Sequence, residues 1–254
     1  MKRVRCDEAK GCSVVEYSTL EVVDKVLVVT AHPDDVDFGV AGSIAKWVQQ
    51  GSEVSYLVVT DGDAGGFDQS VDRSKIPAIR REEQRRAAEI VGVHDVQFLG
   101  HPDGSVVASL ELRKEISRAI RRTHPDRVVC QSPERSYQRL PASHPDHRAT
   151  GDAALNAVYP DARNPFAFPE LLAEGLSDFV VHEVLLMAHP EINAFEDVSA
   201  TIDLKISAIL AHESQLPQPE EVGPRVRGWL SATAEMLGLP EGSYAEGFFR
   251  LTLP

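Results

Sequence analysis

The sequence is poor in cysteine, poor in aromatic residues and short of positive charge. Its three cysteines, Cys6, Cys12 and Cys130, form an odd and scattered set. They make neither a disulfide framework nor a zinc-ribbon spacing, and no N-x-S/T sequon accompanies them. That pattern points to a reducing, cytoplasmic setting. Aromatics supply 6% of the residues, so aliphatic side chains must fill the core that a 43% hydrophobic content makes ample. Acidic residues outnumber basic ones 39 to 26, for a net charge of −13. A chain of that sign is poorly suited to displace the counterions of nucleic acid, so no nucleic-acid partner is expected. The apolar runs are strand-sized, and the first residues are charged. Neither a signal peptide nor a membrane span is expected from them.

Several catalytic signatures are missing as well. No G-x-G-x-x-G follows the first strand, and there is no P-loop, which argues against dinucleotide binding and nucleotide hydrolysis. No G-x-S-x-G elbow is present, which argues against a serine hydrolase. H-E-x-x-H is absent, although His182-Glu183 and His212-Glu213 begin like it. A two-metal phosphoesterase would need more ligands than the sequence offers in any clear set.

What is present is alternation. Residues 25–31 (KVLVVTA) read as a short, β-branched, buried strand. Val40, Ile44, Trp47 and Val48 then recur at helical spacing up to Gly51. Residues 53–60 read as a second strand, 61–66 as a loop, 80–91 as a charged helix ending at Gly92, and 96–99 as a third strand. A helix over 110–123 and a fourth strand over 127–131 follow. The second half is less regular: helix over 146–158, Pro-rich loop over 159–169, strand over 181–188, and helices over 204–212 and 225–237. Such alternation implies a single Rossmann-like α/β domain, with a mainly parallel sheet flanked by helices. Its 254 residues divide into an N-terminal extension (1–23), the domain (24–216) and a C-terminal extension packed on it (217–254).

His-Pro-Asp occurs four times, at His32, His101, His124 and His144. The first lies in Ala31-His32-Pro33-Asp34-Asp35, directly after the first strand, where open α/β sheets bind ligands. His32 and Asp35, three apart at a helical first turn, can face one spot, and both are zinc-ligand types. Asp34 between them suits a base acting on water. The last lies in His144-Pro145-Asp146-His147, after the fourth strand and opening a helix. One of its histidines can complete a His-Asp-His site with a position open for water. The other is left to act on substrate, with Asp146 able to set its tautomer. His101-Pro102-Asp103-Gly104 reads as a turn, and His124-Pro125-Asp126 as a helix stop. His182, His189 and His212 are isolated and read as structural, and Trp47 as core.

The pair A-H-P-D-D and H-P-D-H, in that order on an α/β pattern, resembles the PIG-L/LmbE-like family of zinc-dependent N-acetylglucosaminyl deacetylases. Thr60-Asp61-Gly62, the helix 80–92 and Lys205…His212-x-Ser214-Gln215 fit the family too, so the resemblance spans 25–216 and reaches toward the tail. It implies zinc on His32, Asp35 and His147, Asp34 as general base, and His144 as the protonated partner of the oxyanion, oriented by Asp146. Fe2+ or Co2+ would suit the same ligands. It implies hydrolysis of the N-acetyl (or N-acyl) amide of an N-acetylglucosamine-type conjugate, releasing amine and acetate. It also implies a homo-oligomer, trimer or hexamer. One departure stands out: many members carry Glu after the two aspartates, where this chain has Val36 followed by Asp37. Arg81 and Asp37 are candidate substrate contacts, although Arg81 also suits a solvated helix face and Asp37 a partner of a zinc histidine. Asp61 and Asp63 suit either sugar hydroxyls or the turn itself.

Overall fold

The computed structural model describes residues 2–7 and 11–254, with side chains described from residue 17 onward. Residues 1 and 8–10 of the expected N-terminal extension therefore lie outside the described residues. Within it, β1 (Lys2–Asp7) and β2 (Gly11–Glu16) pair antiparallel as a separate ribbon, and β3 (Ser18–Thr19) follows. The chain then runs β4 (Lys25–Thr30), α1 (Asp35–Gln49), β5 (Glu53–Thr60), α2 (Ile76–Ile90), β6 (Asp95–His101), α3 (Leu110–Thr123), β7 (Arg127–Gln131) and α4 (Pro145–Asn156). The second half adds α5 (Pro169–Ala173), β8 (Glu183–Met187), β9 (Ala194–Asp197), α6 (Ile202–Leu210), α7 (Val222–Leu237) and β10 (Ala245–Thr252).

The main sheet has eight strands in the order β3-β9-β10-β8-β7-β4-β5-β6. The run from β8 to β6 is parallel throughout, and β10 lies antiparallel between β8 and β9. The expected mainly parallel α/β sheet is what forms. β4 and β7 are continuous apolar runs because helices cover both their faces. Alternation along β4 sends Val26 and Val28 into the core under α1 and α2, and Leu27 and Val29 into the core under α3 and α4. Among the described residues no helix is long and apolar enough to cross a membrane.

The structure adds strands beyond the sequence reading. β9 and β10 are two, and β10 puts residues 245–252 inside the sheet rather than on its surface. Its run AEGFFRLT is broken by Gly247 and Arg250, which hides the strand period. Gly247 is small because Ile192 packs where a Cβ would stand. α2 begins at Ile76, earlier than expected, with Pro77 in its first turn where the missing N–H costs nothing.

Candidate active site

Strand order reverses at β4. The chain steps from β4 to β5 and β6 on one side, then returns to lay β7 on the other. Beyond the carboxyl ends of such a strand pair a crevice is left open. Ala31 N donates to Gln131 Oε1 at 3.0 Å and ties the two strand ends together. At Gly151 of α4 a Cβ would run into the carbonyl of Gln131, so glycine lets the helix sit close against β7. These contacts bring residues 32–35 and 144–147 to one cleft of about 400 Å³, lined also by Ala64, Gly65, Arg80, Asp103, Gly104 and Pro141.

In that cleft His32 Nδ1 lies 3.3 Å from Asp35 Oδ2, and His147 Nε2 lies 3.0 Å from Asp35 Oδ1. The His32 backbone N–H also donates to Asp35 Oδ2 at 2.7 Å, fixing the carboxylate on the turn. The other His32 nitrogen, Nε2, faces Asp103 Oδ1 at 3.0 Å and Asp146 Oδ2 at 3.2 Å. Burial alone would lower the His32 pKa, but Asp103 and Asp35 outweigh it and raise it to about 11. Asp35 is held well below the usual carboxylate range: burial opposes this, and His147 and His32 overcome it. His147 is raised, with Asp35 outweighing its burial. Three carboxylates thus converge on two imidazoles at this spot. Two imidazole nitrogens and a carboxylate suit a zinc ion and fit Fe2+ or Co2+ as well. Two donor triads among the described residues have ligand atoms within 4.8 Å of one another, His32-His144-His147 and His32-Asp103-Asp146. Asp146 is already engaged, since its Oδ2 accepts from Gly104 N and its Oδ1 from Val106 N.

Asp34 stands in a strained conformation, with φ 92° at the start of α1. Its backbone N–H donates to Gln84 Oε1 at 2.8 Å, and its carbonyl accepts from Asp37 N and Phe38 N. Arg80 Nη2 reaches Asp34 Oδ2 at 3.1 Å and Pro33 O at 2.6 Å. Burial raises the Asp34 pKa to about 6 against the pull of Arg80, with Asp35 adding to the rise. That is a carboxylate poised near neutrality.

The surroundings of Arg81, Asp37, Asp146 and His144 bear on their expected roles. The cleft's arginine is Arg80. Arg81 instead makes a bidentate pair with Asp61, at 2.7 and 2.6 Å, and lies over the Phe98 ring. The charged helix hid this, because Arg80, Glu83, Gln84, Ala87 and Ala88 form a polar but buried stripe at helical spacing. Asp37 is fully buried and does not line the cleft. It is not a partner of a zinc histidine: its Oδ2 takes Gln84 Nε2 and His212 Nε2, each at 2.8 Å. The Asp146 carboxylate points at His32 Nε2, while its backbone N–H faces His144. His144 Nδ1 accepts from the Asp146 backbone N–H at 3.3 Å. Burial, then the neighbouring His32 and His147, lower the His144 pKa.

Asp103 is the residue the sequence reading missed. It was read as part of a turn, yet β6 ends at the same sheet edge as β4, so the strand-end rule applies to it too. His101 itself pairs with Glu115 at 2.7 Å and stays outside the cleft. Asp61 binds Arg81, and Asp63 accepts from Asp103 N and Arg73, so both shape the loop.

Several known proteins resemble this chain in sequence and shape. Residues 27–158 match a family model described as PIG-L, GlcNAc-PI de-N-acetylase. The diacetylchitobiose deacetylase of Thermococcus kodakarensis is 35% identical over 226 residues, covering 89% of this chain and 82% of that protein. A probable N-acetyl-alpha-D-glucosaminyl L-malate deacetylase of Bacillus anthracis is 30% identical, covering 75% of this chain and 80% of that protein. The solved N,N'-diacetylchitobiose deacetylase of Pyrococcus horikoshii superposes with a TM-score of 0.82 at 32% identity, covering 90% of this chain and 84% of that one.

Proposed function

The chain belongs to the PIG-L family of de-N-acetylases, and from that premise we propose that His32, Asp35 and His147 hold a zinc ion for hydrolysis of its substrate. The reaction converts the N-acetyl amide of an N-acetylglucosamine-type amino sugar into the free amine and acetate. The observation that carries the assignment is the convergence of His32 and His147 on opposite oxygens of Asp35, with Asp34 beside them and His144 lining the same cleft.

When bound, the metal ion polarises the amide and makes water more acidic. Asp34 accepts a proton from the attacking water, a task matched to a carboxylate with a pKa near neutrality. The water oxygen bonds to the carbonyl carbon, and charge develops on the carbonyl oxygen. With Nδ1 accepting from Asp146 N, a proton of His144 sits on Nε2, ready to hydrogen-bond that oxygen. Asp34 then returns its proton to the leaving nitrogen as the carbon–nitrogen bond breaks. Arg80 holds Asp34 in place, and Asp146 and Asp103 hold His32, as carboxylate partners of metal-ligating histidines do.

Amine release from an N-acetylglucosaminide, measured before and after chelation and zinc restoration, tests this reading. Activity lost on chelation and regained with zinc supports it; activity indifferent to chelation overturns it. The acidic, cysteine-poor composition supports a cytoplasmic place without a nucleic-acid partner. A homo-oligomer, trimer or hexamer, is the expected assembly, and light scattering measures it.

A further inference from the structure

α2 meets residue 34 with two side chains one helical turn apart. Arg80 and Gln84, four apart on the buried stripe, face the same way. Arg80 Nη2 donates to the Asp34 carboxylate at 3.1 Å and to the Pro33 carbonyl at 2.6 Å. Gln84 takes the other end of the residue: its Oε1 accepts from the Asp34 backbone N–H at 2.8 Å. Gln84 is fully buried and is not among the residues lining the cleft. Any effect it has on the reaction passes through Asp34.

The backbone of Asp34 needs such a hold. Its φ of 92° lies in the left-handed region, which costs an L-residue energy. A residue stays there only where its surroundings over-determine it. Gln84 is itself pinned for the task. Its Nε2 donates to Asp37 Oδ2 at 2.8 Å, and His212 Nε2, just past α6, meets the same oxygen at 2.8 Å. Turning the amide over would set its NH2 against the Asp34 N–H and its carbonyl against the Asp37 carboxylate. The two partners therefore fix which end faces which. From α6, Lys205 Nζ donates to the carbonyls of Asp37 and Phe38 at 2.8 Å each, holding the first turn of α1 from the far side. Without Oε1, the Asp34 N–H would lose its acceptor, and residue 34 could escape that cost by leaving the left-handed region. Its carboxylate would swing away with the backbone.

We infer that Gln84 is a positioning residue for the deacetylation step: it locks the backbone of Asp34 so that the carboxylate faces the attacking water. The inference rests on the deacetylase reading above and deepens it. Gln84→Met keeps the length of the side chain and removes both hydrogen bonds. It is expected to lower kcat for amine release from an N-acetylglucosaminide about 10- to 100-fold, the scale of a misplaced catalytic group, with KM and bound metal unchanged. The deciding measurement is a double-mutant cycle. In the Asp34→Asn background, Gln84→Met should change the residual turnover by less than about twofold, because the carboxylate it positions is gone. A glutamine that merely supports the fold would cost the same factor in both backgrounds. Gln84→Asn, which retracts the amide without removing it, runs the same cycle if Gln84→Met does not fold.

Hydrogen exchange at the Asp34 amide reads the contact without turnover: slow in the wild type, faster in the Gln84 variant. Equal factors in the two backgrounds, an unchanged kcat, a loss confined to KM, or Asp34 exchange indifferent to Gln84 would overturn the inference while wild-type amine release keeps the deacetylase reading. Exchange that depends on Gln84 in a wild type that releases no amine would sink the deacetylase reading and leave the hold on Asp34 standing.

Discussion

His124-Pro125-Asp126 and His144-Pro145-Asp146 are the same tripeptide at opposite ends of β7. The first precedes the strand. His124 closes α3 in the left-handed region, φ 50°, and its ring stacks on Phe179. Asp126 Oδ2 accepts from Lys25 N at 2.9 Å and aligns the starts of β7 and β4. The second follows the strand, beyond the edge where the crevice opens. There Pro145 begins α4, Asp146 reaches across to His32, and His147 reaches Asp35. Chemistry follows position on the sheet, because only at the carboxyl edge do residues from several strands meet beside open space. His101-Pro102-Asp103 lies at that edge too and lends its aspartate.

Variants can sharpen or break this contrast. The largest effect is expected at the carboxyl edge with Asp34→Asn. Turnover should fall roughly a hundred- to ten-thousand-fold while bound metal stays, as measured by steady-state rates and elemental analysis. Retained turnover would remove Asp34 as the base. Next comes Asp146→Asn, which leaves the proposed ligands His32, Asp35 and His147 intact but loosens His32. Metal affinity or activity should drop by about 10- to 100-fold, followed by competitive chelator titration. Equal metal affinity and equal rates would mean that the His32 contact is idle.

A smaller effect lies beneath the site. Burial opposes protonation of His212, but Asp37, Asp34 and Glu83 outweigh it and hold its pKa above 6.5. A raised folded-state pKa contributes stability that is full below the unfolded value and fades as pH rises through the folded one. The His212→Gln variant should therefore lose more stability in mildly acidic than in alkaline buffer, judged by urea midpoints across pH. A loss independent of pH would contradict the charged pairing. The smallest effect is expected at the amino edge: His124→Asn keeps a residue that tolerates the left-handed region and should cost less than about 1 kcal/mol, with turnover unchanged.

The parallel strands and the two motifs that meet in the cleft were legible in the sequence, since β-branched runs and strand-end His-Pro-Asp patterns are local signals. The rest was hidden by non-local causes. Arg80 and Arg81 are indistinguishable until the face that α2 buries is known. Asp37 looks like a neighbour of Asp35, yet a helix turns it toward His212 and Gln84 instead. The partner of Asp146 lies 114 residues away, across the strand reversal. β10 joins the sheet only through pairing with β8 and β9, which nothing in its own run announces.

Elemental analysis of three proteins, the wild type, His147→Ala and His124→Asn, tests the central claim most directly. About one metal ion per chain is predicted for the wild type and for His124→Asn, as a three-ligand catalytic site holds, and little for His147→Ala. Metal retained at wild-type level in His147→Ala, or lost in His124→Asn, would contradict the account.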